Sequence, residues 1–181
     1  SQPNRAGYQV STKKGSGPPN FYLLGSMNTS DQNVFALDTA FQRRWQMRML
    51  KNDFDKASFA DEPILDTIVT WRSFAETVNS LIAETANQTL SNEDKRLGAF
   101  FVSSRVLSAS SGGHEFAESV LKYLWDDAFK FKRSAVFDTE NLHTLEEVID
   151  KFLSSTGNSK WECLSDDLCA HLGIPASRLE N

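Results

Sequence analysis

Two short blocks near the start of the chain carry side chains whose types and spacing suit chemistry on an anion. The first, Gly25-Ser26-Met27-Asn28-Thr29-Ser30-Asp31, follows the apolar run Phe21-Tyr22-Leu23-Leu24. In an open α/β sheet a ligand sits beyond the carboxyl ends of the strands, so a polar residue just after such a run faces it. Asn28 fits that place, and its uncharged amide can hold a water or touch a phosphate without adding negative charge. The second block, Ala36-Leu37-Asp38-Thr39-Ala40-Phe41-Gln42-Arg43-Arg44-Trp45, ends in two arginines. A guanidinium is planar and permanently charged, and its fork matches phosphate oxygens. Each block also has a plainer reading. Asn28 to Asp31 can form a turn and helix cap, since such side chains bond neighbouring amides. Arg43, Arg44, Arg48 and Lys51 can form a solvated basic edge or a strip touching phosphate backbone.

Other chemistry is sparse. His114, His143 and His171 match no metal-ligand spacing, and no metal is expected. Cys163 and Cys169 are too few for a disulfide scaffold or a four-thiolate zinc site, so free thiols in a reducing compartment are expected. Ser119-Val120-Leu121-Lys122 satisfies S-x-x-K, but neither S-D-N nor K-T-G accompanies it. No G-x-x-x-x-G-K-[ST] occurs; the nearest cluster, Lys14-Gly15-Ser16-Gly17-Pro18-Pro19, lacks the Lys-Ser end. Against 24 acidic residues stand 19 Lys and Arg, and the net charge of -5 opposes attraction of the whole chain to nucleic acid, leaving only a local basic strip open. No apolar run approaches the ~18 residues of a membrane span and the N-terminus has no export signal, so a cytoplasmic protein without membrane contact is expected.

The elements that would position these groups change character along the chain. Residues 1–20 are polar, rich in Gly and Pro, and without period. Residues 21–25 read as a strand buried on both faces, the segment from Asn33 to Trp45 as about three helical turns, and the alternating Gln46-Met47-Arg48-Met49-Leu50 as a second strand. After residue 50 the strands stop. Trp71, Phe74, Val78, Leu81 and Ile82 predict one apolar stripe on a helix over roughly 64–89. A second helix is predicted over Glu115–Phe131, with Val120, Leu121, Leu124, Trp125 and Ala128 inward and the pairs Glu118–Lys122 and Asp126–Lys130 outward. A third begins at the capping box Thr144-Leu145-Glu146-Glu147, carries Val148, Ile149, Phe152 and Leu153, and stops near Gly157. A last short helix spans Ser165–Leu172, stopped by Gly173 and Pro175. The expected fold is therefore an α/β remnant followed by an all-α body. Two short strands cannot form a stable parallel sheet by themselves, so the chain reads as the back end of something larger.

The two blocks together resemble the sensor-1 and arginine-finger region of AAA+ nucleotide triphosphatases, in particular the McrB-like branch, whose namesake is the motor of a modified-cytosine-dependent restriction system. There a buried strand ends in Gly-[ST]-Met-Asn-Thr-x-Asp, and a Leu-Asp-x-Ala helix ends in arginines and an aromatic. The resemblance implies that residues 1–54 are the C-terminal part of the AAA+ core and 55–181 a helical lid. It implies that Asn28 is sensor 1, that Arg43 and Arg44 are fingers acting in trans on the neighbour's nucleotide, and that Lys95 or Arg96 senses nucleotide from the lid. It further implies ATP or GTP with Mg2+, a homo-oligomeric ring, most simply a hexamer, and an McrC-like nuclease partner acting on DNA. The phosphate loop and magnesium-binding strand would lie upstream, so the isolated chain is expected to bind no cofactor. Ser30 stands where the namesake has Ala, and Gln42 where it has the first arginine, which leaves GTP preference open. The rival reading is a non-catalytic, mostly helical interaction module.

Overall fold

The computed structural model describes residues 22, 24, 25, 40, 43–48, 50–86, 95–108, 110 and 112–174. The chain divides into two units, Ser1–Ala36 and Leu37–Asn181. Of the first, Tyr22, Leu24 and Gly25 are described; all three are exposed and none is in a strand. Of the expected second strand, Gln46, Met47, Arg48 and Leu50 are also outside any strand, with Met47 55% and Leu50 84% exposed. The two strands of the predicted α/β remnant are thus not formed at the described positions. An apolar run or an alternation only marks a segment that can pair; a ladder needs a neighbour, and the described residues supply none. Of the helix predicted before it, Ala40 is helical and Arg43 and Arg44 stand in a turn.

The second unit is helical. Helix α1 is Trp71–Ala86, α2 is Ser104–Leu107, and α3 runs continuously over residues 112–128; α4 is Leu145–Ser154 and α5 is Asp166–His171. Short 3-10 turns at Phe54–Lys56, Arg133–Ala135 and Gly157–Cys163 join them. Along α1 the residues Trp71, Phe74, Ala75, Val78 and Ile82 are buried, at the three-and-four spacing that makes one face. Its start lies seven residues later than expected. Residues 63–70 instead form a tight loop closed by a Pro63 and Thr70 bridge and by Ile64 N donating to Val69 O at 2.8 Å. The loop holds Leu65 at φ +56°, a left-handed conformation uncommon for a branched side chain, and the Leu65 amide is secured by Leu107 O at 2.7 Å. Thr70 Oγ1 then accepts from Ser73 N at 3.3 Å and caps α1. Arg72, in the first turn, forks onto both oxygens of Asp61 at 2.7 and 3.1 Å and onto Asp55 at 2.9 Å, wrapping residues 54–62 around α1.

Helix α3 starts with Gly112–Phe116 in α geometry and widens to π geometry over Ala117–Leu121 and Leu124–Ala128. Phe116, Ala117, Val120, Leu121, Leu124 and Trp125 are buried. The outer face pairs differently from the expected pattern, and Lys130 lies beyond the helix end at Ala128. Neither Glu118–Lys122 nor Asp126–Lys130 forms; Lys122, in the α-geometry link, pairs with Asp126 instead. In α4 the capping box is complete: Thr144 Oγ1 accepts from Glu147 N at 3.2 Å, while Glu147 Oε2 accepts from Thr144 N at 2.9 Å and His143 N at 2.6 Å. Those two amides hold the Glu147 carboxyl below the usual carboxylate range. Gly157 lies beyond the helix end rather than at it; with φ +54° it opens the following 3-10 turn. Helix α5 is capped by Ser165 Oγ, which accepts from Leu168 N at 3.3 Å, and Gly173 follows at φ +69°.

The core closes on four rings from four elements. Phe74 of α1 stacks on Trp161 at 5.4 Å between ring centroids and meets Phe116 of α3 edge-on at 5.9 Å; Phe152 of α4 lies 5.6 Å from Phe116 and 5.7 Å from Trp161. All four are fully buried. Aromatic pairs at such separations add to the area that they bury. The Trp161 indole N–H has no acceptor among the described residues. Trp161→Ala should therefore lower stability by about 3–5 kcal/mol in urea unfolding, the cost of removing a large core aromatic. Trp161→Phe should cost clearly less, because no hydrogen bond of the indole is lost with it.

Candidate functional site

Asn28 lies outside the described residues. Arg43 and Arg44 occupy a turn and are exposed, and among the described residues neither has an ion-pair partner. The structure therefore places the two arginines in solvent and leaves their distance to Asn28 undescribed. Lys95 and Arg96 are adjacent in sequence but differ in surroundings. Lys95 is half-buried; its Nζ donates to Asp127 O at 3.1 Å and lies 3.4 Å from Asp127 Oδ1. A cation at the C-terminal end of α3 satisfies a carbonyl that the helix leaves open. Tyr123 OH donates to Lys95 O at 3.0 Å, so this strap crosses α3 in both directions. Arg96 is exposed and faces solvent.

A polar cleft that the sequence did not signal lies elsewhere, at the start of α3. It encloses about 440 Å³ and is lined by Leu65, Asp66, Ser110, His114, Leu153 and Lys160, with Gly113 at its wall. Lys160 is buried, and its Nζ donates to Ser155 O at 2.6 Å and to Phe152 O at 3.4 Å, and lies 3.8 Å from Asp66 Oδ1. Asp66 Oδ2 in turn accepts from Gly157 N at 2.6 Å. That amide, with the Lys160 charge behind it, holds the Asp66 carboxyl below the usual carboxylate range. An ammonium has three donors, and here three acceptors surround it. Lys160 is thus a brace that caps α4 and ties it to the strained loop at Leu65, rather than a free base or nucleophile. A neighbouring open groove of about 530 Å³, walled by Phe100, Phe101, Val106 and Glu118, is mostly apolar.

Metal chemistry has no foothold among the described residues, where no group of three His, Cys, Asp or Glu converges. Both cysteines are free thiols, and their Sγ atoms lie 3.2 and 3.3 Å from the carbonyls of Lys160 and Trp161. Among the described residues no helix is long and apolar enough to cross a membrane.

The chain is similar to a named restriction-system component. It is 31% identical over 141 residues to the type II restriction enzyme BsuMI component YdiS of Bacillus subtilis (strain 168), a match covering 75% of this chain and 38% of that protein. The chain thus spans well under half the length of this curated relative. No protein-family model and no solved structure matches it.

The Asp66 brace generates a test with a defined sign. Because the folded carboxyl titrates below its unfolded value, its contribution is present above the unfolded pKa of ~3.9 and is lost as pH falls through the folded value. Asp66→Asn should cost about 1 kcal/mol at neutral pH, a modest figure because the carboxylate is partly solvated. In urea unfolding across the acid range, the gap between the variant and the natural chain should shrink as pH falls below ~4.

Proposed function

We infer that this chain is part of an AAA+ NTPase subunit of a restriction system, the motor that couples nucleotide hydrolysis to a DNA-acting nuclease. The observation that carries the reading is the 31% identity over 141 residues to a protein named as a restriction-enzyme component. The two motif blocks, Gly25 to Asp31 and Ala36 to Trp45, supply the finer content. In this reading Asn28 positions the attacking water, and Arg43 and Arg44 neutralise charge on the γ-phosphate held by the neighbouring subunit. Phosphoryl transfer asks mostly for such positioning and electrostatics. The nucleotide is ATP or GTP with Mg2+, and the assembly is a homo-oligomeric ring, a hexamer in the resemblance, with an McrC-like nuclease subunit, in the cytoplasm.

Residues 1–54 then belong to the α/β core and 55–181 to the helical lid. The exposed Arg43 and Arg44 suit a group lent to another subunit. The exposed Met47 and Leu50 suit a strand whose sheet is built by preceding sequence. Of the two lid cations, Arg96 is the better candidate nucleotide sensor, since the Lys95 charge is already taken up by Asp127. The rival reading, a helical interaction module, draws on the closed aromatic core of the second unit, which needs nothing from the motif blocks. The upstream reading frame separates the two: a phosphate loop and an Asp-Glu strand within ~150 residues, about one domain, belong only to the NTPase.

Two measurements test the assignment. Titration calorimetry of the 181-residue chain with Mg-ATP or Mg-GTP should show no binding tighter than millimolar, because the backbone cradle and lysine that hold the phosphates are absent from this sequence. Micromolar binding would place the site wrongly. In the full-length protein, Arg43→Ala/Arg44→Ala subunits should bind nucleotide but lose turnover by up to ~10³-fold or more. Mixing them with subunits defective in the phosphate loop should restore part of the activity, since some junctions then join two intact halves. Mixed rings that form, tolerate inactive junctions and stay as dead as either parent would rule out action in trans.

A further inference from the structure

The ion pairs near the end of α3 leave the turn that follows the helix with unpaired positive charge. Asp126 is taken by Lys122 and Asp127 by Lys95, so Lys130 and Lys132 have no ion-pair partner among the described residues and are exposed. Between them stands Phe131, 94% exposed. The Lys130 Nζ lies 5.8 Å from the Phe131 ring centroid, so charge and aromatic face share one patch. The loop that carries them is well anchored. Phe129 is buried, and its amide donates to Leu124 O at 2.9 Å. Lys132 N donates to Phe129 O at 2.9 Å, closing the turn beneath Phe131. Arg133 Nε donates to Trp125 O at 3.1 Å, and its guanidinium lies 4.5 Å from the Trp125 ring centroid. Trp125 packs edge-on against Phe137 at 5.2 Å. A large aromatic held outward on a fixed turn between two unpaired ammonium groups is not required by the fold, which is satisfied on its inner side by Phe129 and Trp125.

We propose that the Lys130-Phe131-Lys132 turn is a contact for single-stranded nucleic acid, with Phe131 stacking on an unpaired base and the two lysines meeting the flanking phosphates. Stacking needs a base face free of its neighbours, which a single strand offers and a duplex must unstack to provide. An anionic membrane is disfavoured, since one ring and two lysines fall short of the apolar area and charge of stable surface anchoring. The inference does not depend on the NTPase reading, because it uses no residue assigned to nucleotide.

The test is an NMR titration of the isotope-labelled 181-residue chain with single-stranded oligothymidylate at low salt. Saturating shifts confined to residues 129–133, at submillimolar oligonucleotide, are expected. The logarithm of affinity should fall with the logarithm of salt at a slope of about -1.4, as for two neutralised phosphates of a single strand. Phe131→Ala should weaken binding ~5- to 100-fold, the span of one lost stacking contact. Lys130→Ala/Lys132→Ala should abolish the salt dependence. Both variants alter exposed side chains, and circular dichroism checks that they fold. A duplex of the same length should bind several-fold more weakly. The proposal is overturned if millimolar oligothymidylate leaves residues 129–133 unmoved, or if Phe131→Ala binds as well as the natural chain. It is equally overturned if duplex, poly-glutamate or phosphatidylserine vesicles engage the turn as tightly as the single strand.

Discussion

Four rings meeting from four elements, Phe74, Phe116, Phe152 and Trp161, constrain nearly everything else in the helical unit. Three stretches far apart in sequence contribute them, around Phe74, Phe116 and Phe152 to Trp161, so no pair of neighbouring helices can close the core by itself. Each helix must therefore present one aromatic at a fixed height. For α1 this puts Phe74 in the first turn, with the loop at 63–70 folded back so that the helix starts at Trp71. For α4 it puts Phe152 in the last turn, and the chain must reverse at once to bring Trp161 onto the same cluster. The left-handed Leu65 and Gly157 sit at those two reversals, tied to each other through Asp66, which follows Leu65 and accepts the Gly157 amide. Backbone strain at Leu65 is sustained because the cluster over-determines the path on both sides.

What the sequence made legible follows from the same constraint. The stripes of α1, α3 and α4 were readable because a buried face imposes period 3.6 on the residue types, and Trp71, Phe74, Val78, Val120, Leu124, Val148 and Phe152 are all buried as expected. The Thr144 box was readable because capping is local: its donors and acceptors lie within four residues. The start of α1 was not, because residues 64–70 are apolar enough to extend the stripe and the loop that replaces it depends on Leu107, some forty residues away. Nor was the outer face of α3, where Lys122 has a carboxylate four residues away on either side and pairs with Asp126 rather than Glu118. The strands expected at 21–25 and 46–50 show the converse failure, since an apolar run or an alternation marks only a segment able to pair, and the described residues there lie outside any strand. Of the site, Arg43 and Arg44 are exposed and Asn28 lies outside the described residues, while the Lys160 cleft, whose parts come from three distant stretches, had no local signature at all.

Beside the cations that pair with surface carboxylates, such as Arg72, Arg105, Lys122 and Lys151, two further classes stand out in the helical unit and explain how a chain of net charge -5 can still carry outward positive chemistry. One class turns inward to helix ends. Lys95 reaches Asp127 O and Arg133 reaches Trp125 O at the end of α3, and Lys160 reaches Phe152 O and Ser155 O at the end of α4. These carbonyls have no partner within their helices, and a cation there also meets the negative end of the dipole. Such residues are fixed by the fold, and replacing them should register as stability rather than activity.

The second class is left over. Arg43, Arg44, Arg48, Lys51, Arg96, Lys130 and Lys132 are exposed, and among the described residues no carboxylate pairs with them. Long cationic side chains usually find a loose counterion on the surface of an acidic protein, at little gain or cost. Here the carboxylates nearest in sequence to Lys130 are engaged by Lys122 and Lys95. The same helix that closes the aromatic core therefore also decides which charges remain for a partner. Asp126 and Asp127 are each taken by another lysine, and Lys130 and Lys132 stay positive on either side of an outward ring.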